Sequence, residues 1–204
     1  MAHISLPAST DDIAKLHIGE TVYLSGVILT ARDAAHKYMV ETFVRGTPPA
    51  SEVAMYDQLR ADLAGGAIYH CGPVVSKKGD RYTFVSAGPT TSIREEVYED
   101  LVMAHFNVKV IIGKGGMGPR TLKACQDLKA AYLHAIGGAG TLIAASVEEV
   151  LAVYKLEFGA PEAFWKIRVK DFPTVVTMDS HGGSIHTAVA EKSKARLAQL
   201  LAVK

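Results

Sequence analysis

Residues 21–29, TVYLSGVIL, form an apolar run rich in β-branched residues, the pattern of a buried strand. Ahead of it, residues 3–17 read as a short strand followed by a polar turn or helix. Ile13, Leu16 and Ile18 are its apolar positions, and Thr10 or Asp11 is placed to cap it. Residues 33–45 and 50–63 read as helices. The second sets Val53, Met55, Tyr56, Leu59 and Leu63 at roughly helical spacing. The apolar runs AIYHCGPVV and RYTFVS flank a Lys-Gly-Asp turn and predict a hairpin. Residues 92–105 read as a helix with Ser92 placed to cap it. Next, VKVII at 108–112 is a buried-type strand ending in the glycine-rich GKGGMG, and residues 119–131 read as a helix. YLHAI reads as a strand, the stretch after GGAG as a helix, 150–157 as a strand, and 165–178 as one or two strands. The tail from Ile185 to Leu201 reads as an amphipathic helix. Strands and helices alternate in the second half while the first half contains a hairpin. That predicts a mixed α/β domain and not a simple doubly wound sheet.

The length of 204 residues suits one domain over 1–204, and 49% hydrophobic residues can bury a core without staples. The net charge of +1, with lysines and arginines scattered through the chain, gives no global field for nucleic acid or a membrane surface. The N-terminus shows neither the basic region and apolar run of a signal peptide nor a membrane span. The two cysteines, Cys71 and Cys125, form no CxxC motif; a reduced cytoplasmic setting is expected, with both as small buried hydrophobes. They are too few to hold a cubane iron–sulfur cluster.

Four segments carry candidate chemistry. In TARDAAHK, directly after a strand, Arg32 is placed to grip a carboxylate with both arms of its fork. A plainer reading makes Asp33 a helix cap, Arg32 a surface residue and His36 a helix-face residue. In GPTTSIR, hydroxyls sit where a helix start exposes unpaired N–H groups. Arg94 in that first turn opposes the helix dipole, which suggests an anionic partner; a plain cap with a surface arginine fits equally. In GKGGMGP, glycines allow close backbone approach and Lys114 adds a cation. Gly113, Gly115 and Gly118 fit GxGxxG, yet the next strand ends in Gly137-Gly138 with no acidic residue for a ribose, which counts against a dinucleotide. Around MDSHG, Asp179 and Ser180 fit local turn hydrogen bonds better than any triad. His70, His134 and His181 are too widely spaced to suggest a metal site, and no metal is expected on this chain.

Together these segments resemble the β subunit of the iron–sulfur (class I) fumarate hydratases and of the related L(+)-tartrate dehydratases. In single-chain class I fumarases the same region is the C-terminal domain. The resemblance runs from about Leu16 to about His186. It rests on SGVILTARDAAHK, IYHCGP, GPTTSIR, GKGGMGP, EFGAPEAFWKIRVKDFP and VTMDSHG, in that order. It implies a mixed-sheet swivelling β/β/α domain. It also implies an α subunit whose three cysteines hold a 4Fe–4S cluster, with an unliganded iron acting as Lewis acid. Carried onto this sequence, Arg32, Arg94 and Lys114 become the groups that hold the substrate carboxylates, and Thr90 becomes the catalytic base. The sequence departs from the family pattern at Glu95, where many members place methionine.

The implied activity is reversible hydration of fumarate to (S)-malate in an assembly with the α subunit, with self-association to a dimer or to two α and two β chains. The alternative is dehydration of L(+)-tartrate to oxaloacetate. From a different class, a non-catalytic assembly or regulatory module would be favoured by loss of Arg32, Arg94 or Lys114, and all three are present.

Overall fold

The computed structural model describes residues 1–202. Strand β1 (Ala2–Ser5) leads into helix α1 (Thr10–Ala14), then β2 (Thr21–Thr30), α2 (Asp33–Tyr38), α3 (Val53–Leu63) and β3 (Ala67–Tyr69). Strands β4 (Val74–Lys78) and β5 (Arg81–Ser86) follow, then α4 (Glu99–Phe106), β6 (Val110–Gly113), α5 (Pro119–Leu128) and β7 (Ala131–His134). The chain closes with α6 (Gly140–Ala144), β8 (Val147–Tyr154), β9 (Phe164–Met178) and α7 (Ile185–Ala202).

The expected mixed α/β architecture is present, with differences in detail. The cap of α1 is Ser9, one residue before the positions expected: its hydroxyl accepts from Asp12 N–H while the Asp12 carboxylate accepts from Ser9 N–H, both at 3.1 Å. The expected hairpin is β4–β5, but AIY of the first apolar run joins the main sheet as β3. Gly72-Pro73 separates the two, since proline cannot continue a ladder. The 165–178 segment is one strand of 15 residues. No residue of α7 is fully buried: Ile185 and His186 in its first turn are half-buried, and the apolar residues of its later turns are exposed.

Strands β2, β3, β6 and β7 run parallel, and β9 runs antiparallel to both β2 and β7. The length of β9 lets its first part pair with β2 and β8 and its last part with β7, closing β2–β3–β6–β7–β9 into a ring of pairings. Side chains alternate across this wall. Ala67, Tyr69, Val110, Ile112, Ala131 and Leu133 face one core, while Ile68, Ile111 and Tyr132 face a second core shared with the helices. Burial on both faces is why these strands read as unbroken apolar runs.

The register sets Thr30 beside Tyr69, Tyr69 beside Ile112 and Ile112 beside Leu133. The residues that follow each of these positions therefore line one edge of the sheet. In parallel α/β sheets that carboxyl-terminal edge is where ligands collect.

Candidate active site

Arg32, two residues beyond β2, takes the cap position of α2 with extended backbone, but its side chain caps nothing. That duty falls to Glu162, whose carboxylate accepts Ala34 N–H at 3.1 Å and pairs with Arg32 Nη2 at 3.1 Å. Asp33 is not a cap either. Its Oδ2 pairs with Arg94 Nη2 at 2.9 Å and lies 4.0 Å from Arg32 Nη2. Arg94 Nη2 in turn donates to Thr90 Oγ1 at 3.0 Å, and Thr90 N–H donates to the His70 carbonyl at 2.7 Å. Lys114 stands at the end of β6. Its N–H donates to Ser92 Oγ and its carbonyl accepts Ser92 N–H, both at 3.1 Å. Thr90 and Arg94 are thus hydrogen-bonded, Asp33 lies between Arg94 and Arg32, and backbone pairing brings Lys114 onto the same edge.

Arg32 and Arg94 here face two carboxylates, Asp33 and Glu162. The Lys114 ammonium is in no ion pair among the described residues. Arg94 and Asp33 are 46% and 43% exposed, so their pair contributes on the order of 0–1 kcal/mol. A contact that weak orients the guanidinium and can be exchanged for a ligand carboxylate.

The two glycine-containing turns work differently from the sequence expectation. Residues Ser92–Val97 form a 3-10 helix, and Ser92 does not cap it. Its hydroxyl points inward, 2.9 Å from both His70 Nδ1 and the Tyr132 hydroxyl, in a space that a side chain on Gly113 would fill. The start of α5, the place for a dinucleotide phosphate in the GxGxxG reading, is filled from within. The Glu96 carboxylate accepts the N–H groups of Gly118 and Arg120 at 2.8 Å and the Thr121 hydroxyl at 2.6 Å. Gly118 leaves room for that carboxylate. The glycine-rich turn therefore serves the chain's own side chains.

Behind the edge lies a cluster that sequence reasoning missed. His36, His70, Glu95, Glu99 and Ser92 are all fully buried. Glu99 Oε2 sits 2.8 Å from His70 Nε2 and 3.4 Å from His36 Nε2. Neither contact meets the geometry of a hydrogen bond. Burial alone would push His36 down, but Glu99 beside it holds it at about 9. Burial would raise Glu99, yet His36 and His70 hold it at about 2, and its place at the start of α4 favours a carboxylate. His70 is lowered by burial. The pattern is a cationic His36, an ionised Glu99 and a neutral His70. Glu95, 3.8 Å from His36 Nδ1, is raised by burial to about 7. The three-residue spacing of His36 and Asp33 gave no hint of this cluster, because its members come from four separate segments.

His36, His70 and Glu99 are also the one group among the described residues whose donor atoms, within 4.8 Å, could hold one metal ion. The cluster is sealed, so an ion there would have no open position for a substrate. Iron–sulfur ligation has no basis here. Cys71 and Cys125 lie in different cores, on opposite faces of the sheet, and burial pushes both thiols up, Cys71 to about 12. Asp179 makes the local turn bonds expected, accepting the N–H groups of His181 and Gly183.

A family model described as Fumarase C-terminus matches residues 1–189. A Geobacillus stearothermophilus protein named "Putative fumarate hydratase class I" is 43% identical over 96% of this chain, which spans only 35% of that protein. The L(+)-tartrate dehydratase subunit beta of Escherichia coli (strain K12) is 37% identical over 94% of this chain and 88% of its own length.

Proposed function

The chain belongs to the fumarase C-terminus family, and from that premise we propose that it is the β subunit of an iron–sulfur hydro-lyase that hydrates fumarate reversibly to (S)-malate. Residues 1–204 are taken as one β-subunit domain, working in the cytoplasm with an α subunit and self-associating in the assembly. A relative named as a subunit beta, matched over 88% of its length, supports the two-chain reading. The cluster finds no fitting ligands among the described residues, so this reading gives it to the α subunit and routes no step of this chain through it.

The observation that carries the reading is the Arg94 guanidinium bonded to the Thr90 hydroxyl, beside Arg32 and Lys114 on the same sheet edge. Dehydrating malate removes a proton from the carbon next to one carboxylate. The C–H electron pair first places negative charge on the adjacent carboxylate, in an aci-carboxylate-like state, and then becomes the new double bond as the C–O bond breaks and hydroxide departs. Arg32, Arg94 and Lys114 would hold the two carboxylates and stabilise that charge more than the ground state. Thr90, as its alkoxide, would take the proton, and the released hydroxide would take that proton up as water when the alkoxide re-forms. A threonine hydroxyl is a weak base, and the guanidinium 3.0 Å from its oxygen favours the alkoxide form.

L(+)-tartrate is the second reading, supported by the E. coli relative's name. Reconstituting this chain with its α subunit and assaying fumarate, malate and tartrate decides between them. Turnover of fumarate and malate is expected. Turnover of tartrate alone selects the second reading, and turnover of none assigns the chain a non-catalytic role.

A further inference from the structure

Each segment that carries a proposed substrate group is tied to the buried cluster by a specific bond. His36 Nδ1 donates to the Arg32 carbonyl at 3.0 Å. The His70 carbonyl accepts Thr90 N–H at 2.7 Å. His70 Nδ1 meets Ser92 Oγ at 2.9 Å, and that oxygen accepts Lys114 N–H at 3.1 Å. Glu99 stands between the two imidazoles, 3.4 Å from one and 2.8 Å from the other. The donors and acceptors fit one protonation pattern. His36 carries protons on both nitrogens, one toward Glu99 and one toward Arg32. His70 carries its proton on Nε2 toward Glu99, which leaves Nδ1 to accept from Ser92. Ser92 then donates to His70 and accepts from Tyr132 and from Lys114 N–H.

We propose that Glu99 is a positioning residue, a buried carboxylate that bridges His36 and His70 and thereby fixes Arg32, Thr90 and Lys114 relative to one another. It touches no substrate. Its position lets one charge hold the ends of β2, β3 and β6 in a single arrangement, and buried networks of this kind rigidify what they connect. A neutral amide at this position removes the buried charge that faces both imidazoles. The two rings then lose their common partner, and the bonds to Arg32 and Ser92 lose their fixed direction.

The proposal rests on the hydro-lyase reading for its catalytic consequence, but its structural half is measured without any substrate. The experiment compares wild type, Glu99→Gln, Glu99→Asp and the exposed control Glu148→Gln, each assembled with the α subunit. Amide hydrogen exchange is followed at Thr90 and Lys114, with the β2–β9 amides as the reference for global opening. Glu99→Gln should speed exchange at Thr90 and Lys114 by about tenfold or more while the reference amides stay protected. It should also lower kcat on malate by about tenfold or more, with Glu99→Asp intermediate in both measurements. Equal acceleration at the reference amides, or none at Thr90 and Lys114, overturns the proposal. If Glu99→Gln does not fold, Ser92→Ala serves instead: it cuts the link from His70 to Lys114 together with the Tyr132 hydroxyl's bond, and should loosen the Lys114 amide while the Thr90 amide stays protected. Unchanged exchange there overturns the proposal as well. A wild-type assembly inactive on fumarate, malate and tartrate removes the hydro-lyase reading, while the exchange arm still decides whether Glu99 fixes these segments.

Discussion

At the scale of the residue, Thr90 is where the chemical reading is most exposed. Its hydroxyl accepts a bond from Arg94, and its N–H is fixed on His70. Valine keeps the shape and the backbone bond but removes the oxygen. If Thr90 takes the proton, Thr90→Val should lower kcat by about 10²–10⁴-fold while KM changes little. Thr90→Ser should retain part of the rate. If the hydroxyl only orients Arg94, stability should change by about 1 kcal/mol and the single-turnover rate hardly at all. Measuring melting temperature and single-turnover rate on the same proteins separates the two. Glu95 offers a second test. Its folded value, raised to about 7 from 4.5, means that its contribution to stability is fully present below about pH 4.5 and is lost as pH rises through 7. Glu95→Gln should therefore match wild type near pH 4.5 and gain in relative stability by pH 8. A difference in melting temperature that stays flat across that range would mean that Glu95 is ionised throughout.

Elements show how far the sequence could be read and where it stopped. β6 and β7 were legible because burial on both faces leaves an unbroken apolar run, β2 from its β-branched and aliphatic residues, and the β4–β5 turn from Lys-Gly-Asp. Arg32, Arg94 and Lys114 could be singled out because each follows a strand or a glycine turn, whereas Thr90 stood out only through the family resemblance. The caps were not legible, because the residues that fill them are distant in sequence: Glu162 serves α2 and Glu96 serves α5. The inward turn of the Ser92 hydroxyl depends on Gly113 and Tyr132, which local pattern cannot show. The cap on α5 makes its own prediction. Glu96→Ala leaves several donors at the start of that helix without partners and should cost about 1–3 kcal/mol, read from denaturant unfolding. The same change should leave the KM for malate nearly unaltered, because Glu96 faces the helix and not the strand-end cations. A large rise in KM with little loss of stability would return the glycine turn to the substrate site.

For the molecule as a whole, the question is what the chain lacks. The strand-end site opens to solvent, with Arg94 46% exposed, while efficient use of the cations around a developing carboxylate charge needs water excluded. The two thiols sit on opposite faces of the sheet and are kept protonated by burial, so no pair of them can join in one cluster. The Geobacillus relative is far longer than this chain, which spans 35% of it, and the E. coli relative is named as a subunit beta. These facts lead to one expectation. The chain purified alone under anaerobic conditions should fold, should show no cluster absorbance after iron and sulfide are supplied, and should not turn over malate. Adding the α subunit should bring visible absorbance in proportion to the α chain added, and turnover in proportion to the complex formed. Turnover should level off once this chain is saturated while absorbance keeps rising, because the proposed carboxylate grip and the cluster would lie on different chains. Absorbance and turnover from the isolated chain would sink the split-site reading. Turnover by the α subunit alone, unimproved by this chain, would leave Arg32, Thr90, Arg94 and Lys114 without a catalytic role.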